Sequence, residues 1–419
     1  DLDAVDRALA AHLCRCTGWQ TIREAWSMVV SGSSVVEHER REDRNFEDAS
    51  RRATIEGRSA QQVSAEVALG RGGFAEDTAP LDALVAVPNG AGGWVVAGSL
   101  TEARALAGKV QGRHGTTSPE PPLELPEGEW ELTMRTGWVE PAYLETDASW
   151  CEPGGEPFTS LANGGAFGGK LTTDVGQVAR ELAYEHRQAI RVVLSREDVV
   201  RDGPKRPPIA AGVRADGSGV IRVARTEGIA EAITNIAPQF IVEEVDVVGP
   251  PTSVDIRGAG VAEAQILLAA LAAKNASESG VSDAHIATVT SAEGAVATVS
   301  IGADGIVRVD LRCGRLLDAI VLRSYAIGAV HMALGWVTSE GLSVDEDGMI
   351  SDLTIRSFGV LRSADMPHVE VTLHEEDVEP VNGSDAVFAA TAAAVWSAQG
   401  WPTDWPTGRS VLSNARVTQ

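Results

Sequence analysis

The sequence predicts an α+β protein of several domains, on three observations. Its 419 residues, 44% of them hydrophobic, are enough for more than one core. Runs with apolar residues at every second position alternate with stretches at helical spacing. Turn signals at Asp216-Gly217-Ser218-Gly219, Ala303-Asp304-Gly305 and Asp345-Glu346-Asp347-Gly348 each sit between alternating flanks and read as hairpins.

In chain order, residues 1–30 read as two helices broken at Thr17-Gly18. Val5, Leu9 and Leu13 form one apolar face, and Ile22, Ala25 and Trp26 another. Residues 31–62 are polar and charge-dense, an expected exposed linker. Strands are expected at 84–87 and 94–97 and a helix at 100–110, before the proline-rich boundary at 118–126. Beyond it, helices are expected at 174–186, 324–336 and 386–399, and strands at 190–194 and 241–248.

With 35 Lys+Arg against 59 Asp+Glu, the net charge is -24, which speaks against nucleic acid or an anionic membrane as partner. No apolar run approaches the roughly 18–20 residues of a membrane span. The four cysteines, Cys14, Cys16, Cys151 and Cys313, are no disulfide framework, so a reducing cytoplasm is the expected compartment. The eight histidines lack the paired spacing of a zinc site.

Two stretches carry chemistry. Residues 163–170 read Asn-Gly-Gly-Ala-Phe-Gly-Gly-Lys, and glycine-rich backbone exposes N–H groups that cradle anions, here with a helix following. A surface loop is the bland reading. A nucleotide P-loop fits Gly164, Gly169 and Lys170 but fails at Leu171, where a Ser or Thr is needed for Mg²⁺. Residues 12–19, His-Leu-Cys-Arg-Cys-Thr-Gly-Trp, place Cys14 and Cys16 one residue apart at a helix end, where both thiols can face a metal. Small buried cysteines are the plain alternative, and an iron–sulfur cluster needs four ligands.

Both stretches resemble the xanthine dehydrogenase family of molybdenum hydroxylases. The octamer is similar to the family's G-G-G-F-G-G-K loop, which wraps the molybdopterin. Leu13, Cys14, Arg15, Cys16, Thr17, Gly18, Trp19 and Ile22 are similar to the end of its [2Fe–2S] subunit. Further matches follow in family order: Glu140-Pro-Ala-Tyr-Leu-Glu145, Arg257-Gly-Ala-Gly260, the helix with Gly328, Ala329 and Gly335, and Trp405-Pro-Thr407. Arg257-Gly-Ala-Gly260 also reads as a plain tight turn.

The resemblance implies a helical [2Fe–2S]-domain remnant at 1–35, a polar linker at 36–66, an α/β hammerhead-like domain at 67–125 and a two-part α+β molybdopterin-binding region at 126–419. It implies a cofactor site from Gly164, Gly165, Ala166, Phe167, Gly168, Gly169, Arg257, Gly258 and Gly328, and metal ligands at Cys14 and Cys16. The expected cofactors are molybdopterin with molybdenum, and a [2Fe–2S] cluster for which only two ligand cysteines match. The expected partner is a family-related large subunit or an iron–sulfur or flavin subunit, in an oligomer.

The chain departs from the family at its chemistry. Where a late G-x-G-E motif places a glutamate general base, the text is Val381-Asn-Gly-Ser-Asp385, with Ser384 in the base position. Losing a positioned base costs about 10²–10⁴-fold, and Asp385 replaces it only if the backbone shifts. Tyr325 stands for a family glutamine, and Ala166 for a loop glycine. Two functions follow: a divergent, non-catalytic subunit of an oxidoreductase complex, or an active hydroxylase of an aldehyde or N-heterocycle. A third idea has Cys14 and Cys16 completing a cluster with a partner's cysteines.

Overall fold

The computed structural model describes residues 2–31, 44–108, 110, 112–115, 118–159, 166–279 and 285–409. Gly164 and Gly165 lie outside the described residues.

Helices α1 (Leu2–Leu9) and α2 (Gln20–Ser31) flank a loop whose Gly18 and Trp19 both take positive φ, so the chain turns where the sequence predicts. Gly18 is pressed on Ile327, and a Cβ there would come within 2.9 Å of that side chain. The Gln20 amide accepts from Val369 N and donates to Val369 O, both at 2.8 Å.

The expected exposed linker holds a packed helix. α3 (Phe46–Gly57) starts at Asn45, whose side chain accepts from Glu47 N and Asp48 N, and stops where Arg58 turns left-handed. Its buried face is Ala49, Arg52, Ala53 and Glu56. Charge density misleads here because Arg52 and Glu56, four apart, go into the core as a pair. Two single-turn helices follow, α4 (Ala65–Ala68) and α5 (Ala75–Thr78).

The next elements are β1 (Leu84–Pro88), β2 (Trp94–Ala97), α6 (Leu100–Ala107), β3 (Leu132–Thr136), β4 (Ala148–Cys151), β5 (Phe158–Thr159), α7 (Val175–His186) and β6 (Ile190–Val193). Five of these strands form one sheet, ordered β2-β1-β6-β4-β5. Strand alternation sends Val85 and Val87 toward α6 and Ala86 toward α7, so a helix covers each face. β1 pairs in parallel with β6, so the sheet takes strands from both sides of residue 125.

α8 (Arg196–Asp202) begins with a Ser195–Asp198 capping box. β7 (Ile209–Val213), β8 (Gly219–Ala224), α9 (Ile229–Ile236), β9 (Phe240–Val245) and α10 (Val261–Glu278) follow. Then come β10 (His285–Thr290), β11 (Val296–Ile301), β12 (Val307–Arg312), α11 (Ala319–Thr338), β13 (Val369–His374), α12 (Ser384–Ala398) and β14 (Asp404–Trp405). They build a second sheet, β14-β3-β7-β8-β9, and a third, β10-β11-β12-β13.

The hairpins at Gly217 and Gly305 form as predicted. The third does not: around Gly348 a single bridge, Val344 to Ile350, takes the place of two strands. α10, α11 and α12 pack together in the core, where Trp336 stacks on Phe388 at 5.3 Å and meets the edge of Trp405 at 4.9 Å. α11 passes the length and composition test for a membrane span, as the core helix of a folded protein also does. Its second half, residues 326–338, is buried throughout among other elements.

Candidate functional site

The site forms where the turn before α10 meets the start of α12. Arg257 and Gly258 both take positive φ, at 48° and 57°, which swings the Arg257 side chain inward. Arg257 N donates to Phe167 O at 3.1 Å, tying this turn to the described end of the glycine loop. The guanidinium lies over Phe167 at 4.8 Å and Phe388 at 5.8 Å. Its Nη1 donates to Ser384 Oγ at 3.1 Å and to Asp385 Oδ1 at 3.3 Å, and Nη2 faces Met332 Sδ at 3.4 Å. Burial holds Arg257 below its ordinary pKa, against the pull of Asp385.

Sequence reasoning missed the other half of the site, which comes from α3. Arg52 donates to Leu316 O and Val381 O, both at 2.9 Å, and to Arg315 O. Glu56, fully buried, accepts from Gly383 N at 3.1 Å and Ser384 N at 2.8 Å, as well as from Arg52. Asn382 Nδ2 donates to Ile55 O at 3.0 Å, and Arg58 Nη2 to Asp385 Oδ2 at 2.5 Å. Each residue from 381 to 385 is thus bonded to α3 or to the Arg58 that ends it. Burial pushes the Glu56 carboxyl above its ordinary range, opposed by Arg52 and the two backbone donors. The one available signal was the spacing of Ala49, Arg52, Ala53 and Glu56 on a single helical face.

Asp385, a candidate base only if the backbone shifts, has a guanidinium on each oxygen. Such a carboxylate is a charge partner, with no free oxygen aimed at a substrate.

The cysteine loop is anchored by the residue between its thiols. Arg15 forks onto Glu340, with Nη2 to Oε2 at 2.6 Å and Nη1 on Oε1, and its Nε donates to Pro141 O at 3.2 Å. Both partners are 2% exposed. Cys14 Sγ lies 3.0 Å from Thr17 Oγ1, and Gly328 packs so tightly on Cys16 that a Cβ would sit 2.4 Å from Cys16 O. Gly328 thus packs directly against the cysteine loop. Among the described residues no three His, Cys, Asp or Glu side chains are placed to hold a metal.

No protein-family model and no curated protein sequence matches the chain. Solved structures do match. The aldehyde oxidoreductase of Desulfovibrio gigas superposes with a TM-score of 0.62 at 9% identity, over 96% of this chain and 85% of that one. The aldehyde oxidoreductase of Desulfovibrio desulfuricans gives 0.58 at 10% identity, over 94% and 83%. The chain has the molybdenum-hydroxylase fold. A Cu,Mo-CO dehydrogenase follows at 0.50 and 8% identity, over 70% of this chain and 77% of that one. Identities this low carry the fold and leave activity to the site.

That fold raises the question of a pterin, and the described residues do not fit one. Ala166 and Phe167 are buried. A Cβ on Gly168 would lie 1.9 Å from Asp255 O and one on Gly169 2.4 Å from Tyr143, so these glycines admit the chain's own atoms. Lys170 turns to Glu145 at 3.4 Å and Asp147 at 4.0 Å, so its own charge is already paired. Gly258 does face open space. The cavity beside Arg257 measures about 20 Å³, room for one water. Among the described residues, Gly168, Gly169 and Lys170 are thus taken up by the chain's own atoms.

Proposed function

We propose that the chain is a non-catalytic subunit that carries the molybdenum-hydroxylase fold as a scaffold within an oxidoreductase complex. The observation that carries this reading is the filling of the α12 N-terminus by Glu56, with residues 381–385 latched to α3. Free N–H groups at a helix start attract an anion, and here the chain supplies that anion itself. Ser384 has no useful basicity near neutral pH, and Asp385 is held by Arg58 and Arg257. The implied partner is an iron–sulfur, flavin or large subunit of the same oxidoreductase class. Cys14 and Cys16 then serve the loop that docks Arg15, or meet a partner's cysteines.

The deciding experiment is metal analysis of the chain purified from its native host and separated from partners in high salt. The expected result is neither molybdenum nor iron in stoichiometric amount, with no turnover of aldehydes or N-heterocycles. Stoichiometric molybdenum would overturn the proposal and restore the active-hydroxylase alternative.

A further inference from the structure

The cavity of about 20 Å³ lies where several parts of the chain meet, among them the cysteine loop through Arg15, residues 139–141, the Arg257 turn, and α11 through Met332 and Trp336. Most charges in its wall are already spent on one another. Arg15 is forked onto Glu340, and Arg206 reaches Glu263 through Nε and Nη2 at 2.8 Å each.

Three wall residues, two of them ion-paired, still keep polar atoms without a hydrogen bond. Glu140 accepts no hydrogen bond from the protein at either carboxylate oxygen, although Lys205 Nζ lies 3.0 Å from Oε2. Arg257 Nε and Trp336 Nε1 donate to no protein acceptor. These residues are 2%, 3% and 2% exposed, so bulk solvent does not satisfy them.

We infer that this cavity binds a single water molecule, which donates to Glu140 and accepts from Arg257 Nε or Trp336 Nε1. The mixed set of donors and acceptor selects the ligand. A halide accepts from the two N–H groups but has no proton for Glu140, and it adds negative charge beside a carboxylate. A metal cation satisfies Glu140 but accepts from neither N–H, and three guanidinium groups repel it. Water does both and fits the volume. It joins residues 139–141 to the Arg257 turn or to α11, whichever reading of the function holds.

The test is a crystal structure of the full chain grown with bromide, at a resolution that shows buried waters. The expected result is one peak bonded to Glu140 and to Arg257 Nε or Trp336 Nε1, without anomalous signal. An anomalous bromide peak there, or no peak while other buried waters are visible, overturns the inference. Val139→Leu, which adds a methylene to the cavity wall, should erase the peak. A peak that persists in that variant would not be seated in this cavity.

Discussion

The two stretches with the most chemical wording, the cysteine loop and the glycine loop, are both closed, but by different forces. The cysteine loop is closed by charge, with Arg15 buried and forked onto Glu340. The described part of the glycine loop is closed by contact, with Gly168 against Asp255 and Gly169 against Tyr143. In both, motif residues serve the packing of this chain: arginine as a buried counter-charge, glycine as a place for close approach. Letters that mark cofactor chemistry can thus be held in place by the fold alone.

The charge half is broken most directly at Glu340. Glu340→Ala strands the Arg15 guanidinium in the core, which should cost about 3–5 kcal/mol and be plain in chemical denaturation. A loss below about 1 kcal/mol, the scale of a solvent-exposed pair, would remove the charge account of the cysteine loop.

The contact half is tested by two alanines. Gly258 has φ +57° and open space around it, so Gly258→Ala should lose only the left-handed backbone penalty, about 1–2 kcal/mol. Gly168 has φ +90° and no room, so Gly168→Ala should lose about 1–3 kcal/mol more from overpacking. Equal losses at the two positions would refute closure by contact.

The charge half is also sharpened through pH. His331 is fully buried, donates from Nε2 to Leu361 O at 3.1 Å, and is pushed down to about 3 by burial and then by the charge of Arg15. The unfolded imidazole takes a proton below about 6.5, and the folded one not until about 3. Its contribution is therefore intact above that upper value and lost as pH falls through the window, by up to about 1.4 kcal/mol per pH unit. Glu56 and Glu340, raised by burial, titrate in the opposite sense. The quantity to measure is thus wild type minus His331→Gln, and parallel stability–pH curves for the two would count against a buried neutral imidazole.

Local chemistry made much of the fold legible. The Asp216-Gly217 and Asp304-Gly305 turns fixed their hairpins, and helical spacing placed α7 and α12. At Gly348 the turn signal was also obeyed, with Asp345 Oδ1 accepting from Met349 N, but the flanks bridge only once. A turn residue fixes a turn and not the strands beyond it. The β1–β6 pairing joins Leu84 to Ile190, and no spacing rule reaches that far.

Within the site, the wording around Arg257 and residues 381–385 pointed to groups that do meet. It gave no sign of Glu56. A charged side chain in a charge-dense stretch reads as solvated until its partners are known, and the two backbone donors to Glu56 lie more than 300 residues away.

The Gln20 amide has a consequence for association. β13 is the last strand of its sheet, and its first residue, Val369, offers both backbone groups on the side away from β12. Gln20 occupies both, as a neighbouring strand would. Open strand borders invite pairing between molecules. The docked N-terminal helix pair therefore works as a stopper there, and a second copy trying to extend this sheet from Val369 must first displace it.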